Sequence, residues 1–341
     1  NNPTIPKNYI PIDTATSTWG DGSTAPSQDS VKHGLVIKDE KNNEWVWVPV
    51  PDVTVMCDTL NNTEYTLCGT TGDTAVTTNK YSKSGIISGK TRITPGTTSD
   101  FREPDLVVGS GTEYDANTYC KIILGKTGTK EQLAQLFVDE YKAMIESVSK
   151  YGGFYIGRYE LSGTVTEPTE KPGKTLTKTD WYNLYNACRS SKLQASDKVK
   201  TQMIWGCQWD VTMNWLISSG AKTSNEVNTD SSSWGNYKET SVKADDGKTE
   251  LKASGTKEKL NTGKTTFTMA NNIYDLAGNC LEWTQEAGST SVRVYMGGYY
   301  NGDGSFYPAS DRNGHIPDRR DSGSIRFSSH FNNKVILDTR A

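Results

Sequence analysis

The chain has 341 residues, and its 37 lysines and arginines nearly balance its 40 aspartates and glutamates. A chain of this length can bury a substantial core, as one large domain or two smaller ones. Balanced charge gives no general case for nucleic acid or an anionic membrane as partner. No apolar run reaches the length of a membrane span. With 34% hydrophobic residues and abundant Gly, Ser, Thr, Asn and Asp, the composition predicts a loop-rich, strand-rich globular protein.

The N-terminal third shows little regular patterning. Residues 1–31 are rich in Pro, Thr, Ser, Asp and Gly, which is typical of an extended leader or linker, and the domain is expected at residues 32–341. Short strands are predicted at His33–Lys38 and Glu44–Pro51, because apolar residues cluster there and the second run stops at prolines. Residues 52–130 are irregular, with many Thr, Gly and Asn, and are interpreted as an insertion with some strand content.

The middle of the chain has helical spacing of apolar residues. This spacing predicts three helices: Lys130–Lys150, one starting near Thr179, and Cys207–Ser218. Thr129 and Gln132 are placed as a capping box for the first helix. A further strand is predicted at Gly153–Ser162, and the polar residues 221–265 are expected to form a surface excursion. The aromatic residues of these helices are interpreted as core rather than as a cofactor site.

The cysteines show no metal-binding pattern. The six are Cys57, Cys68, Cys120, Cys188, Cys207 and Cys280. None forms a CxxC pair, and three histidines provide no zinc spacing. Buried thiols are therefore favoured over a disulfide framework, and Cys57 with Cys68 is the one pair close enough in sequence for a local bridge.

Four segments resemble one family when taken in order. They are Glu44–Val50, Phe154–Leu161, Asn272–Thr284, and Arg293–Tyr300 followed by Ser324–Phe327. The third, Asn-Ile-Tyr-Asp-Leu-Ala-Gly-Asn-Cys-Leu-Glu-Trp-Thr, is close to the most characteristic motif of formylglycine-generating-enzyme (sulfatase-modifying-factor) domains. The resemblance covers residues 32–341 and implies a C-type-lectin-like α+β fold with small antiparallel sheets, a few helices and much loop. Fold alone does not fix function.

The resemblance does not extend to the family's catalytic groups. Formylglycine generation implies paired cysteines between the Gly-Gly and Phe-Arg motifs, and Gly297–Phe327 contains none. The related iron-dependent sulfoxide synthases need three clustered histidines, whereas His33, His315 and His330 are scattered. Because nucleophile or metal ligands are missing, the chain is expected not to be an enzyme. The oxidase function remains the alternative.

The C-terminal segment has an anomalous composition. The 35 residues Gly297–Phe331 contain no Lys, Glu, Gln, Met or Trp, although these types make up about a fifth of the rest of the chain. The residues present can be encoded after changing adenines in an Asn codon, AAC or AAT. The five missing types cannot, because their codons end in A or G. Ordinary loop chemistry gives no reason for such a bias.

This pattern resembles the variable proteins of diversity-generating retroelements, whose C-terminal repeat is rewritten by adenine-directed mutagenesis. The resemblance implies a hypervariable ligand-binding region at residues 293–331. Its aromatic, Asn, Ser, Gly and Arg content is also that of selected binding loops. The predicted contact residues are Tyr295, Tyr299, Tyr300, Asn301, Asp303, Phe306, Tyr307, Asp311, Asn313, His315, Ile316, Asp318, Arg319, Arg320 and Asp321.

Other residues of the same segment are expected to hold the scaffold. They are Gly297, Gly298, Pro308, Arg312, Arg326 and Phe327. The alternative is a solvated polar loop without a partner. Such a loop would normally carry Lys and Glu, and it would not expose Phe306, Tyr307 and Ile316.

These resemblances imply a receptor-binding or adhesin-like protein. The expected partner is a protein or glycan ligand on another cell surface, with no nucleic acid and no direct membrane insertion. The expected location is extracellular, on a phage virion tail or a bacterial cell surface. An invariant structural or carbohydrate-binding virion protein is a further alternative. The chain begins without methionine, so the sequence leaves open whether a signal or anchor was removed.

A structural calcium ion is the one candidate cofactor, and no other is required. The formylglycine-enzyme resemblance implies ligands at Asp275, Gly278, Cys280 and Glu282, through side chains and carbonyl groups. Oxygen ligands of this kind suit calcium. A hydrogen-bonded turn capped by Asp275 is the alternative.

Overall fold

The computed structural model describes residues 3–14, 31–53, 56, 116–289, 292–317 and 331–339. These residues form an α+β structure with small antiparallel sheets, a few helices and much loop, and this confirms the predicted fold class. The helices are α1 (Ala116–Leu124), α2 (Lys130–Tyr151), α3 (Trp181–Cys188), α4 (Gly206–Ser218) and α5 (Ser224–Asn228). None of the helices in the described chain has the length and apolar character that a membrane crossing requires.

The strands are short and spread along the whole described chain. They are β1 (Tyr9–Ile12), β2 (Val36–Asp39), β3 (Glu44–Pro49), β4 (Gly153–Gly157), β5 (Ser162–Gly163), β6 (Pro168–Thr169), β7 (Val199–Met203), β8 (Val242–Lys243), β9 (Glu250–Lys252), β10 (Met269–Ala270), β11 (Ile273–Tyr274), β12 (Leu281–Ser289), β13 (Val292–Met296), β14 (Arg312–His315), β15 (Phe331–Asn333) and β16 (Val335–Thr339). The predicted strands at β2, β3 and β4 and the three predicted helices are confirmed, but β2 begins at Val36 rather than His33 and β4 ends at Gly157 rather than Ser162.

The largest sheet has six antiparallel strands in the order β1-β2-β3-β4-β16-β7. Successive side chains of a strand point to opposite faces. Along β3, Trp45 and Trp47 belong to one apolar cluster, whereas Val46 and Val48 belong to another. Helix α3 contributes to the first cluster and α4 to the second. The sheet is therefore buried on both faces, and this rigid core supports the rest of the fold.

Helix α2 begins and ends as its sequence predicts. The backbone N–H of Gln132 donates to the Thr129 hydroxyl (3.3 Å), and the Thr129 N–H donates to the Gln132 side chain (3.1 Å). This reciprocal capping satisfies two amide groups at the helix start. Gly152 ends the helix in the left-handed conformation. The apolar stripe reaches both clusters, with Phe137 in one and Tyr141 in the other.

A second sheet of four strands has the order β14-β13-β12-β15. Strands β12, β13 and β14 pair antiparallel, and β15 joins β12 in parallel. The register sets Tyr295 on β13 opposite both Trp283 and Asn313. Directly opposed residues share one face of a sheet, so these three side chains form a row across it. The start of the predicted variable region is therefore part of a regular sheet.

The N-terminal residues differ from the prediction of a separate leader. Residues 9–12 form β1, which pairs along its whole length with β2. The Tyr9 side chain is buried, and its hydroxyl accepts a hydrogen bond from the Ala195 N–H (3.2 Å). Pro and Asn around this short strand mask its apolar residues in the sequence, so composition alone indicated a linker.

Two further segments are more ordered than the sequence indicated. Part of the predicted insertion, residues 116–124, is helix α1, with Cys120 and Ile123 buried. The polar segment 221–265 buries Trp234, Tyr237 and other side chains. It was expected to be a surface excursion because polar residues dominate it, but its few aromatic residues pack into the core. Residues 54–55 and 57–115 of the predicted insertion, which include Cys57 and Cys68, lie outside the described residues.

Candidate functional site

The candidate site starts at a double-glycine turn where β13 ends. Gly297 and Gly298 both have positive φ, +91° and +74°. A side chain at Gly297 would collide with the Glu282 carboxylate, and one at Gly298 with the backbone carbonyl of Tyr307. Only glycine adopts this backbone conformation without strain and leaves room for these neighbours. The predicted scaffold role of both glycines agrees with this geometry.

The loop that follows the turn is fastened to the backbone of residues 231–239. The Lys238 N–H donates to the Gly302 carbonyl (3.0 Å), and the Ser231 N–H donates to the Gly304 carbonyl (3.2 Å). The Gly304 N–H donates to the Glu239 carboxylate (2.5 Å). These bonds fix the backbone of the loop without using the side chains of Tyr299, Tyr300 or Phe306.

Tyr237 connects the two ends of the loop. Its hydroxyl lies 2.8 Å from the Tyr307 carbonyl oxygen and 3.2 Å from that of Gly297. Burial raises the pKa of the Tyr237 hydroxyl well above its ordinary value, so the group stays a neutral donor. Sequence reasoning missed this residue. The available signal was a pair of aromatic residues three positions apart, Trp234 and Tyr237, within an otherwise polar segment.

The far end of the loop is anchored in the core. The Trp209 indole N–H donates to the Ala309 carbonyl (3.0 Å), and the Ala309 N–H donates to the Ser231 hydroxyl (2.9 Å). The Ser310 N–H donates to the Val227 carbonyl (3.2 Å). Residues 308–310 are buried. The chain therefore enters β14 from a fixed position, and Pro308 lies in that fixed part as predicted.

Arg312 is the most firmly held residue of the segment. Its guanidinium donates to both carboxylate oxygens of Asp210 (2.7 and 2.8 Å) and to Glu286 (3.2 Å). The Arg312 side chain is fully buried. A bidentate arginine–carboxylate pair combines charge with a fixed geometry. Arg312 thus joins β14 to helix α4 and strand β12, which fits its predicted scaffold role.

The outer face of the loop is covered by aromatic rings. The Tyr299 ring lies 6.4 Å from that of Tyr300 and 5.5 Å from that of Tyr307, with interplanar angles of 80° and 66°. Phe306 lies 5.5 Å from Tyr307 and is 74% exposed. Among the described residues, the one other large exposed hydrophobic side chain is Ile10, at 59%. We refer to Tyr299, Tyr300, Phe306 and Tyr307 as the aromatic patch.

Most predicted contact residues within the described chain are accessible. Asp303 and Phe306 are exposed, and the half-buried ones are Tyr299, Tyr300, Asn301, Tyr307, Asn313, His315 and Ile316. Asp318, Arg319, Arg320 and Asp321 lie outside the described residues, as do Arg326 and Phe327. The accessible residues come from one loop and from the edge strand β14 with its end.

Two predicted contact residues are buried. Tyr295 is 7% exposed and Asp311 is 4% exposed. Tyr295 packs edge-on against Trp283 (6.0 Å between centroids), and the Asp311 N–H closes a turn onto the Pro308 carbonyl (2.7 Å). Burial raises the pKa of Tyr295, with Asp311 as the next cause. We therefore revise their role from ligand contact to support beneath the surface. Composition could not separate them, because inward and outward residues share one codon pattern.

The edge strand β14 carries two further predicted contacts. The Asn313 side chain accepts a hydrogen bond from the Gly314 N–H (2.9 Å). The His315 ring lies edge-on to Trp283, 6.3 Å between centroids, and its Nδ1 is 3.1 Å from the Ile316 carbonyl oxygen. Both residues are half-buried. Both residues therefore lie on an edge strand, beside the packed ring of Trp283.

The residues of the predicted calcium site are all buried. The Asp275 carboxylate accepts a hydrogen bond from the Thr262 hydroxyl (2.8 Å), and the Cys280 N–H donates to Glu160 (3.0 Å). Neither oxygen of Glu282 forms a hydrogen bond to another described residue. Across the described part of the chain, no three His, Cys, Asp or Glu side chains form a group suited to a metal ion. Carbonyl oxygens would have to complete any such site.

These buried carboxyl groups favour their protonated forms. Burial raises the pKa of Glu160 to about 8, and nearby Asp275 raises it further. Burial raises the pKa of Glu282 well above its ordinary value, and Glu160 adds to this. Lys334 opposes the shift in both groups. An unpaired buried charge is costly, so the cluster needs protons or a cation to stay buried.

The described cysteines are buried thiols, as predicted. Cys120, Cys188, Cys207 and Cys280 are buried, and none of them forms a disulfide within the described chain. Burial, and after it Glu160, raises the pKa of Cys280 well above its ordinary value. A thiol of this kind is a poor nucleophile, because the thiolate is the reactive form.

Fold and site together define an α+β protein that presents an aromatic loop and an edge strand on a rigid two-sheet scaffold. Two solved structures are similar to it. PvdO from Pseudomonas aeruginosa matches at 13% identity with a TM-score of 0.34, over 55% of this chain and 81% of that protein. Treponema denticola variable protein 1 matches at 11% identity with a TM-score of 0.31, over 88% of this chain and 96% of that protein.

No sequence-family model and no curated protein matches the chain. At these identities and TM-scores, the function has to be argued from the chain's own residues.

Proposed function

We propose that the chain is a variable ligand-binding protein whose contact surface is the aromatic patch together with the accessible residues of Asn301–Ile316. The observation that carries the proposal is an exposed aromatic surface inside a segment that lacks Lys, Glu, Gln, Met and Trp. A large ring that is mostly exposed is unfavourable in water, and such rings are common anchors in binding interfaces. A polar loop without a partner would have no reason to expose Phe306.

The local architecture supports this proposal. Backbone hydrogen bonds hold the loop, and the buried Arg312 holds the strand. A surface held in this way loses little conformational entropy on binding. Outward side chains can also change without loss of the bonds that fix the backbone. Both properties suit a surface whose specificity is rewritten repeatedly.

The test of variability is genomic. The proposal predicts a near-duplicate of the coding sequence of residues 293–331, differing at adenines, beside a reverse transcriptase gene. A locus with neither feature would contradict the variable-protein assignment. An invariant structural or carbohydrate-binding virion protein predicts neither feature.

The proposed protein is not an enzyme. Gly297–Phe327 contains no cysteine, and the Cys280 thiol is buried with a raised pKa. Incubation with copper and a cysteine-containing sulfatase peptide should yield no aldehyde above a protein-free control. Aldehyde formation by the chain, abolished in Cys280→Ser, would overturn this assignment in favour of the oxidase alternative.

The proposed partner is a protein or glycan on another cell surface. We propose that the chain is displayed outside the cell, on a phage tail or a bacterial surface, and binds this partner there. The balanced charge and the accessible aromatic patch support a partner of this kind. Labelling intact virions and intact cells with an antibody against the chain tests the location. Signal only after lysis would contradict it.

We also propose a structural calcium ion held by Asp275, Glu282 and the carbonyl groups of Gly278 and Cys280. The unbonded, buried Glu282 carboxylate fits such an ion, because a divalent cation would compensate its charge. The expected result is a lower melting temperature after a chelator, restored by calcium. Glu282→Gln should remove this response. An unchanged melting temperature would leave the hydrogen-bonded turn as the explanation.

A further inference from the structure

The aromatic patch presents ring faces in several directions. Tyr299 is nearly perpendicular to Tyr300 and strongly inclined to Tyr307, and Phe306 is tilted by 56° from Tyr307. Where two neighbouring rings are inclined, the face of one lies beside the edge of the other. A small group bound on the patch therefore contacts the π-face of at least one ring. The negative face of an aromatic ring attracts cations within about 6 Å.

Acidic side chains lie in and beside the loop that carries the patch. Asp303 is exposed in this loop, and Glu239 accepts a hydrogen bond from the Gly304 N–H. Burial raises the pKa of Tyr299, and after the neighbouring tyrosines Asp303 raises it further, which places the Asp303 carboxylate close to this ring.

Positive charge on this part of the chain is largely compensated. Arg312 is the one Lys or Arg in residues 297–317, and it is shared between Asp210 and Glu286. In the supporting segment Lys238 adjoins Glu239, and the Lys252 ammonium group donates to the Tyr237 carbonyl (2.6 Å) and interacts with Glu239. Asp303 is the one charged side chain in residues 297–307, so the charge of the loop itself is negative and attracts cations.

The exposed polar group beside the patch also favours a donor. The Asp303 carboxylate is exposed, and an ionised carboxylate only accepts hydrogen bonds. A guanidinium or ammonium group carries donors and a positive charge, so it complements this carboxylate better than a neutral sugar hydroxyl does.

We propose that the aromatic patch receives an arginine or lysine side chain from a protein partner, stacked on Tyr299, Phe306 or Tyr307 and paired with Asp303. This inference rests on the proposed ligand-binding function and specifies its ligand chemistry. Carbohydrate could also stack on these rings, but the exposed Asp303 carboxylate beside them favours a basic protein segment.

The test is selection of short random peptides displayed on phage against the intact chain. Peptides whose binding is lost in Phe306→Ala should be enriched in arginine or lysine over the starting library. A representative arginine peptide should bind about three- to thirtyfold more tightly than its citrulline counterpart. Asp303→Asn should remove most of that difference, and added salt should reduce it.

Two matched variants separate patch effects from general ones. Ile10→Ala removes the other large exposed hydrophobic side chain, and Asp197→Asn removes an exposed acid away from the patch. Both should leave peptide binding unchanged. If they weaken binding as much as Phe306→Ala and Asp303→Asn do, the proposal fails.

The outcomes also separate this inference from the proposed function. Patch-dependent peptides that lack basic residues would overturn the cationic ligand and leave a binding surface. Patch-dependent binding to neutral glycans on an array, without a basic peptide preference, would do the same and identify a carbohydrate ligand. If neither the displayed peptides nor the glycan array yields a ligand whose binding depends on the patch, the result contradicts both the cationic ligand and the proposed binding function.

Discussion

The segment Gly297–Ile316 contains two sets of side chains that share one codon pattern but differ in burial and in the groups they contact. The outward set, with Phe306 as its most exposed member, touches solvent and neighbouring rings. The inward set, with Arg312 as its most buried member, bonds to two carboxylates from other parts of the fold. The two sets alternate within a short stretch, so one segment both builds the fold and presents the surface.

This difference separates stability from recognition. Surface substitutions away from special contacts change stability little, whereas buried ion pairs and strained glycines respond strongly. The inward residues therefore set whether the segment folds, and the outward ones set what it binds. Substitutions in the inward set should therefore mainly lower the free energy of unfolding, and substitutions in the outward set should mainly lower the affinity for a ligand.

The largest effect is expected from Arg312→Ala. It would leave Asp210 and Glu286 buried without their partner, which costs about 3–5 kcal/mol. Urea unfolding followed by circular dichroism should show this loss. The adjacent variant Asn313→Ala serves as control and should stay within about 0.5 kcal/mol of wild type. Equal midpoints for the two variants would contradict the anchoring role.

Gly298→Ala should have the next largest effect. The residue has a φ of +74°, and an added Cβ would meet the Tyr307 carbonyl oxygen. The strained backbone alone costs about 1–3 kcal/mol. Thermal unfolding should show a lower melting temperature, whereas Gly247→Ala, in an open turn with similar φ, should cost only the backbone strain. If the two variants melt together, close packing at Gly298 is not important.

A smaller effect is expected from Tyr237→Phe. The change removes the hydroxyl that joins the Gly297 and Tyr307 carbonyl groups and keeps the ring. A lost buried hydrogen bond costs about 1 kcal/mol. Hydrogen exchange should show faster opening of residues 299–307, with little change in the six-stranded sheet. Uniform destabilisation of both regions would mean that Tyr237 does not hold the loop specifically.

The smallest stability effect is expected from Phe306→Ala. Because the ring is 74% exposed, unfolding free energy should change by less than about 0.5 kcal/mol. Affinity for a ligand of the patch should nevertheless fall by tenfold or more, as for an aromatic anchor, at about 2 kcal/mol. Calorimetry on the same protein batch measures both quantities. A large loss of stability with unchanged affinity would contradict the account, because Phe306 would then support the fold and not the binding surface.

Much of the scaffold was predictable because local chemistry determines it. The capping box at Thr129 and Gln132, and the alternating run at Glu44–Pro49, are set by neighbours in sequence. Strand β1 and helix α1 were not predicted, because short apolar runs among prolines and polar residues give weak periodicity. Distant residues hold both elements, Ala195 through Tyr9 of β1 and Asn186 through the Ile122 carbonyl of α1.

The candidate site was predictable as a segment and less so residue by residue. Its composition indicated the whole of Gly297–Phe331, and the roles of Gly297, Gly298 and Arg312 agree with their contacts. The burial of Tyr295 and Asp311 follows from strand register and turn geometry, which the codon pattern does not encode. The supporting segment around Tyr237 was missed for the same reason, since only tertiary contacts join it to the loop.

The separation of the two sets is tested most directly by sequencing this gene across sibling strains from Arg293 to Ala341. Within the described residues, differences should fall at accessible positions such as Tyr299, Phe306 and His315, and should be rare at Gly298 and Arg312. Differences spread equally over buried and accessible positions, or an identical segment in every strain, would contradict a diversified binding surface on a fixed scaffold.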